Sequence, residues 1–355
     1  MRLNAMQPFN SYADLLTCIQ DNGHTPEILG RAPDGQPIVA VKSGGDKTPA
    51  IFISAGSHAT EQAGVSAACA LIDEIETEHQ LYTIPSRDPI GMNGLAYALG
   101  LSLDEAPNLD GIDEVAPLLK KRGEVLYEEG DTVVALIGEY GYATSNLYNH
   151  PVGDWIEPLK GRRLYFPASN PSAELRSKPG VERAYTLIID PTGEVLHLNR
   201  FHDTPWAPVE SRCTRDLMAA IQPGLTLDLH EHGGDFFWFS ARHQRTPSDQ
   251  QWEERMAGEM IAAVAASGAP LAPSDYLPGS FFTTGPPSVF WLNPQQRGEG
   301  LNLADFAAHT YGPAFTIETG MALSFADRVH ASKLAAKKAV EVFARRHAGC
   351  PSATP

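Results

Sequence analysis

His58 and Glu61 stand three residues apart in GSHATEQAG, directly after the apolar run PAIFISAG. Imidazole nitrogen and carboxylate oxygen are ligands that suit zinc, and a catalytic zinc takes three protein ligands while keeping a fourth position open for water. A His-x-x-Glu pair alone is a common coincidence, and the chain holds a second one, His24 with Glu27. That second pair encloses Pro26 and reads as a surface turn before an edge strand. The pair at 58 and 61 differs. Gly56-Ser57 frees the backbone after a buried strand and Glu61 opens a helix, so the two side chains can converge on one point.

A third ligand is offered by TLDLHEHGG, where Asp228, His230 and His232 alternate along a strand and share one face. His230 fits as the ligand, with Asp228 orienting its other ring nitrogen; His232 is the alternative. Glu318 lies in AFTIETG, at the end of another buried strand, where an unpaired carboxylate is costly unless a metal, a cation or water compensates it. Ligands of open α/β sheets gather outside the carboxyl ends of the strands, and these residues occupy three such ends.

The elements that must position them follow from the pattern. A helix is predicted over 12–20, and two strands over 27–44 are joined at Pro33-Asp34-Gly35. A central strand over 49–56 passes into a helix over 61–76 with apolar residues at Val65, Ala68, Leu71, Ile72 and Ile75. A short strand follows over 80–89; later come helices at 211–221, 248–267 and 325–346 and strands at 224–232 and 313–320. Strand followed by helix is the unit of a parallel sheet, so the expected fold is α/β, with a mixed, mainly parallel central sheet and helices on both faces. Residues 1–355 are expected to form a single catalytic domain, with a divergent insertion or lid at about 92–194, where the periodicity weakens into charged, Gly- and Pro-containing sequence.

Composition narrows the function classes. With 43% apolar and 20% charged residues the chain is globular in character, and it has no apolar run long enough to span a bilayer. The 27 Lys and Arg against 43 Asp and Glu give a net charge of −16, which repels phosphate backbones and anionic lipid, so neither nucleic acid nor membrane is an expected partner. Cys18, Cys69, Cys213 and Cys350 are widely spaced and read as reduced thiols. The stretch MRLNAMQPFNSYADLL lacks the features of a secretory signal, so a cytoplasmic protein is expected.

With these residues in place, the chain resembles the zinc carboxypeptidase superfamily, which includes the succinylglutamate desuccinylase and aspartoacylase deacylases. The matching segments run in family order: GSHATEQAG, PSRDPIG, HLNRF, LDLH and TIETG, spread over about 25–90 and 194–343. The resemblance implies one zinc ion held by His58, Glu61 and His230, with Glu318 as general base and then acid. It implies that Asn199 and Arg200 grip a substrate carboxylate. The activity implied is hydrolysis of amide bonds in a peptide, carboxypeptidase-like; the alternative is deacylation of N-acyl amino acids, and a metal-binding protein that keeps only the scaffold is a third reading. Departures stand at His197, where the family has an Asp supporting the first zinc histidine, and at Asp88 and Ile90 in the turn after the fourth strand. The arginine that would polarise the scissile carbonyl is to be sought among Arg87, Arg162, Arg163 and Arg176, and the mobile tyrosine between Tyr276 and Tyr311.

Overall fold

The apolar run before His58 lies at the centre of the architecture. In the computed structural model, which describes residues 7–148, 150–169, 180–242, 246–292 and 301–348, this run is a strand covered on both faces. Ile51 and Ile53 pack into one apolar cluster and Phe52 into another. Successive side chains of a strand point to opposite faces, so an uninterrupted apolar run demands a layer on each side.

The chain begins with α1 (Tyr12–Asp21), β1 (Glu27–Arg31), β2 (Pro37–Gly44), β3 (Lys47–Ala55), α2 (Gln62–Glu74) and β4 (His79–Ile84). The middle holds α3 (Pro89–Met92), α4 (Leu95–Gly100), α5 (Val115–Arg122), β5 (Glu124–Glu129), β6 (Thr132–Ile137), β7 (Tyr140–Ala143), β8 (Arg163–Ala168), β9 (Arg183–Ile189) and β10 (Val195–His197). Then come α6 (Val209–Ile221), β11 (Leu225–His232), β12 (Trp238–Ala241), α7 (Pro247–Ala266), β13 (Phe282–Thr284) and β14 (Val289–Leu292). The last elements are α8 (Leu303–Thr310), β15 (Ala314–Gly320) and α9 (Phe325–His347).

Nine strands form the larger sheet, in the order β1-β2-β4-β3-β11-β15-β12-β14-β13. Helices α2, α7 and α9 cover the face of Ile51 and Ile53, while α6 and α8 cover that of Phe52. The fold is α/β with a mixed sheet and helices on both faces. The expectation that the sheet is mainly parallel is corrected. The pairs β4–β3, β3–β11, β11–β15 and β12–β14 are parallel, and the other four ladders are antiparallel. Parallel pairing is concentrated in the core because there both faces are buried under helices; the hairpin β1–β2 and the strands β12–β14 extend it on either side.

The middle of the chain builds a second sheet of six strands, β10-β9-β8-β7-β6-β5. It has apolar material on both faces: Val133, Ala135, Tyr142 and Tyr165 join α4 and α5 in one cluster, whereas Val134, Leu164, Leu187 and Ile189 belong to another. Among the described residues no helix is long and apolar enough to cross a membrane.

Two glycines let these layers meet at the sheet rim. Gly56, at φ +61° just after β3, adopts a backbone conformation that side chains disfavour, and an added Cβ there would lie 2.8 Å from Ser86 Oγ. Gly64 in α2 brings the first turn of that helix against β11; a Cβ would lie 2.9 Å from the Leu229 carbonyl oxygen, one residue before His230.

Candidate metal centre

Three ligand-type side chains meet where β3, α2 and β11 come together. Single donor atoms of His58, Glu61 and His230, all buried, lie within 4.8 Å of one another. Glu61 precedes the first residue of α2, yet its carboxylate makes no capping hydrogen bond to that helix. The first-turn amide of Ala63 donates instead to Oε2 of Glu231, at 2.8 Å, and Glu231 is in turn paired with the buried Arg328. Capping by a neighbouring strand therefore leaves Glu61 available to the site. Its Oε1 lies 2.6 Å from Nδ1 of His58 and its Oε2 lies 2.8 Å from Nδ1 of His230.

The arrangement fits a divalent ion. Two imidazole nitrogens and one carboxylate are a donor set of the borderline kind. In addition Oε2 of Glu61 is buried and has no aligned hydrogen-bond donor, although a ring nitrogen lies close by. Oε1 is hydrogen-bonded to His58, so it is the unsatisfied Oε2, with the two Nδ1 atoms around the same carboxylate, that marks a centre shared by the three side chains.

Each imidazole has a different partner behind it. His230 Nε2 donates to Oδ2 of Asp228 at 2.8 Å, and the same oxygen accepts from Asn199 Nδ2 at 3.1 Å. Arg87, fully buried at the end of β4, donates Nη2 to both Asp228 oxygens at 3.0 Å and Nη1 to His202 Nε2, also at 3.0 Å. His58 Nε2 lies 2.9 Å from Nδ1 of His197, at the end of β10, and the His58 ring stacks on Tyr185 of β9 with centroids 5.0 Å apart.

The electrostatics follow from burial and these partners. Burial opposes a charge on His230, but Asp228 and Glu61 hold its pKa well above the ordinary imidazole value. Burial likewise opposes ionisation of Asp228, and Arg87 and His230 outweigh it, so its carboxyl falls below the usual range. His197 is driven the other way. Burial, with Arg200 and His58 beside it, pushes its pKa well below the ordinary value, so the ring is neutral. Glu318 is raised to about 8, chiefly by burial and further by the nearby Glu61 and Asp228, with His230 acting in the opposite direction.

A cavity of about 590 Å³ opens beside the cluster, with His58, His230, Glu318, His197 and Arg200 on one side. Glu318 stands in register with His230 across the parallel β11–β15 ladder. Trp238, Tyr276, Phe281, Phe282 and Leu292 line the apolar part, and Ser240, Asn302 and Thr316 add polar atoms.

The structure brings together the residues expected at the strand ends. His58, Glu61 and His230 converge, and Glu318 and Arg200 face the same cavity. Asn199 touches the cavity, but its amide is engaged with Arg87, Asp228 and the Leu303 amide. His232 is not in the cluster; its Nε2 meets the Phe236 carbonyl and its Nδ1 accepts from the Gly234 amide. His24 pairs with Asp73, apart from the site.

Of the arginine candidates, Arg87 is locked on Asp228, Arg163 on Glu210, and Arg162 on the carbonyls of Gly138 and Glu139. Arg176 lies outside the described residues, as does Cys350. Tyr276 lines the cavity, whereas Tyr311 packs against Phe306. Tyr148, Tyr185 and the buried role of Arg87 went unread. For Arg87 a signal existed: it follows a strand end, the same position that marks the other site residues.

Similarity to known proteins agrees with this geometry at the level of fold. No family model matches the chain. No curated protein matches it by sequence. Among solved structures, it is similar to bovine thrombin-activatable fibrinolysis inhibitor, solved in complex with tick carboxypeptidase inhibitor, at 12% identity and TM-score 0.52, covering 97% of this chain and 99% of that one. It is similar to carboxypeptidase A from Helicoverpa armigera at 14% identity and TM-score 0.51, covering 96% and 75% of the respective chains. The chain has the zinc carboxypeptidase fold.

Proposed function

We propose that the protein is a zinc-dependent hydrolase of amide bonds that acts on peptides with a free terminal carboxylate. The observation that carries this reading is the convergence of His58, Glu61 and His230 beside a cavity that also holds Glu318 and Arg200. A divalent ion held by these three side chains supplies Lewis-acid polarisation of the scissile carbonyl and a water made acidic enough to lose a proton near neutrality.

The chain's own residues do the rest. Glu318 takes a proton from the attacking water and passes it to the leaving nitrogen; burial raises its proton affinity above that of an ordinary carboxylate, the direction that suits a group which must both accept and return a proton near neutral pH. Arg200 receives the substrate carboxylate, for which its planar fork of donors is suited. Trp238, Tyr276, Phe282 and Leu292 favour an apolar or aromatic side chain next to that carboxylate. Asn199 acts through Asp228 and His230, which its amide contacts. The stretch at about 92–194 serves as an insertion that walls the cleft, with Tyr148 facing the cavity.

A deacylase of N-acyl amino acids would use the same groups on a smaller substrate. The extended apolar lining favours the peptidase reading. The deciding experiment mixes purified protein and zinc with short peptides and with N-acyl amino acids, each with a free or an amidated carboxyl terminus. Turnover of free-carboxylate peptides is expected, with a fall of roughly 10²–10⁴-fold in Glu318→Gln while zinc is retained. Hydrolysis that survives the substitution would remove Glu318 from its role, and preference for N-acyl amino acids would select the deacylase.

A further inference from the structure

His58 and His230 supply equivalent ligand atoms but lean on unlike supports. Both direct Nδ1 at Glu61, so the other nitrogen of each ring must carry the proton when Nδ1 binds an ion. For His230 that proton goes to Asp228, a carboxylate already matched by Arg87. For His58 the acceptor is Nδ1 of His197, at 2.9 Å. A ring nitrogen that accepts leaves its proton on Nε2, so His197 acts as a neutral acceptor. His197 belongs to β10 of the second sheet, and Tyr185 of the neighbouring strand β9 stacks on the face of His58. The second sheet thus holds one ligand of the centre by an edge hydrogen bond and by a ring face.

We propose that His197 is the positioning residue of the centre, fixing the tautomer and orientation of His58 through a neutral hydrogen bond, and that this choice of partner sets the affinity for the ion. The inference rests on the metal reading given above. Partners of ligating histidines raise ligand basicity and orient the ring, and their loss weakens binding by roughly 10–100-fold. A neutral acceptor orients as well as a carboxylate but polarises the ring less, so the wild-type centre binds its ion more weakly than an Asp-backed one.

The test measures zinc dissociation constants by competition with a chromophoric chelator, and the absorption spectrum of the cobalt-loaded protein, for wild type and three variants. His197→Asn puts an amide oxygen near the place of Nδ1 and is expected to bind zinc about as wild type does. His197→Asp is expected to bind about tenfold more tightly, and His197→Leu to bind roughly 10–100-fold more weakly with an altered cobalt spectrum. Equal affinity of a folded Leu variant and wild type, or an Asp variant no tighter than the Asn variant, would overturn the proposal. If the Leu variant does not fold, the Asp and Asn pair decides alone. Absence of zinc binding by wild type itself would overturn the metal reading first, an outcome distinct from identical affinities among the variants.

Discussion

The two sheets meet at one pair of imidazoles and treat them differently. His230 sits on a strand buried on both faces, and a carboxylate and a guanidinium wholly inside the protein stand behind it. His58 sits in a turn and is steadied from the other side by residues of the six-stranded sheet. The larger sheet therefore fixes where the ligands converge, while the smaller one adjusts a single ligand. If that division holds, loss of a ligand carried by the larger sheet abolishes the centre and substitutions on the smaller sheet tune it.

The largest effect should come from His230→Ala. It removes a donor that no other described side chain in the cluster replaces, since His232 is committed to the Phe236 carbonyl. Zinc affinity should fall by more than the roughly 10–100-fold that outer contacts command, and hydrolysis should vanish with it. Tyr185→Leu, on the smaller sheet, should retain zinc. Metal analysis after gel filtration checks both, and loss of zinc from the Tyr185 variant alone would reverse the comparison.

Next in size is Arg87→Met. Arg87 and Asp228 are both fully buried, and removing one member of a buried pair leaves an uncompensated charge at about 3–5 kcal/mol. Urea unfolding of the metal-free protein, followed by circular dichroism, should show that loss. Adding Asp228→Asn should recover part of it, because the orphaned charge is then gone. A double variant no more stable than the single one would mean that the pair is not what supports the strand ends.

The division also explains what was legible in the sequence. β3 past its exposed start, β11 and β15 are almost wholly buried and rich in Ile, Leu and Phe because helices cover both of their faces, and a charged residue or histidine towards their ends stands out at once. The residues at 58, 61, 230 and 318 were therefore visible one strand at a time, as was the hairpin β1–β2 with its turn at Pro33-Asp34-Gly35, although the other antiparallel ladders beyond the core were not. The six-stranded sheet was hidden by shorter strands whose alternation is diluted by charge, as in EVLYEE of β5, where Glu124 and Glu129 are exposed. A signal was present there. Gly130-Asp131 and Gly138-Glu139 each join two strands, with positive φ at the glycine, and such two-residue links mark hairpins. Tyr185 carried no such mark: a tyrosine within an ordinary strand announces nothing about the ring it covers.

A smaller effect is expected on the far wall of the cavity, which belongs to the larger sheet but holds no ligand. Phe282→Ala shortens an apolar side of the cleft, and differences of this kind in an apolar pocket are worth about 1–3 kcal/mol of selectivity. The ratio of kcat/KM for peptides ending in Phe and in Ala should shrink accordingly, with zinc affinity unchanged. A shift in zinc affinity instead would show that this wall is coupled to the centre.

At pH 5 the smallest effect lies at the seam between the sheets, and it grows only as pH rises. Asp88 follows β4, accepts from the Gly91 amide at 2.9 Å, and its carboxyl is pushed up to about 7, first by burial and then by Glu210, with Arg163 on β8 of the second sheet acting against this. A carboxyl raised in the folded state holds its proton where the unfolded chain has released it. Stability therefore falls as pH rises from the ordinary carboxyl value to about 7, and the loss is complete above that. Asp88→Asn keeps the acceptor for Gly91 and removes the ionisation. At pH 5, where the acid is already neutral, the variant should lie within about 1 kcal/mol of wild type. At pH 8 it should be relatively more stable, so the difference between the two unfolding curves should rise across this window and then level. A flat difference would mean that Asp88 ionises in place without penalty, and that the seam tolerates the charge because Arg163 reaches it from the second sheet.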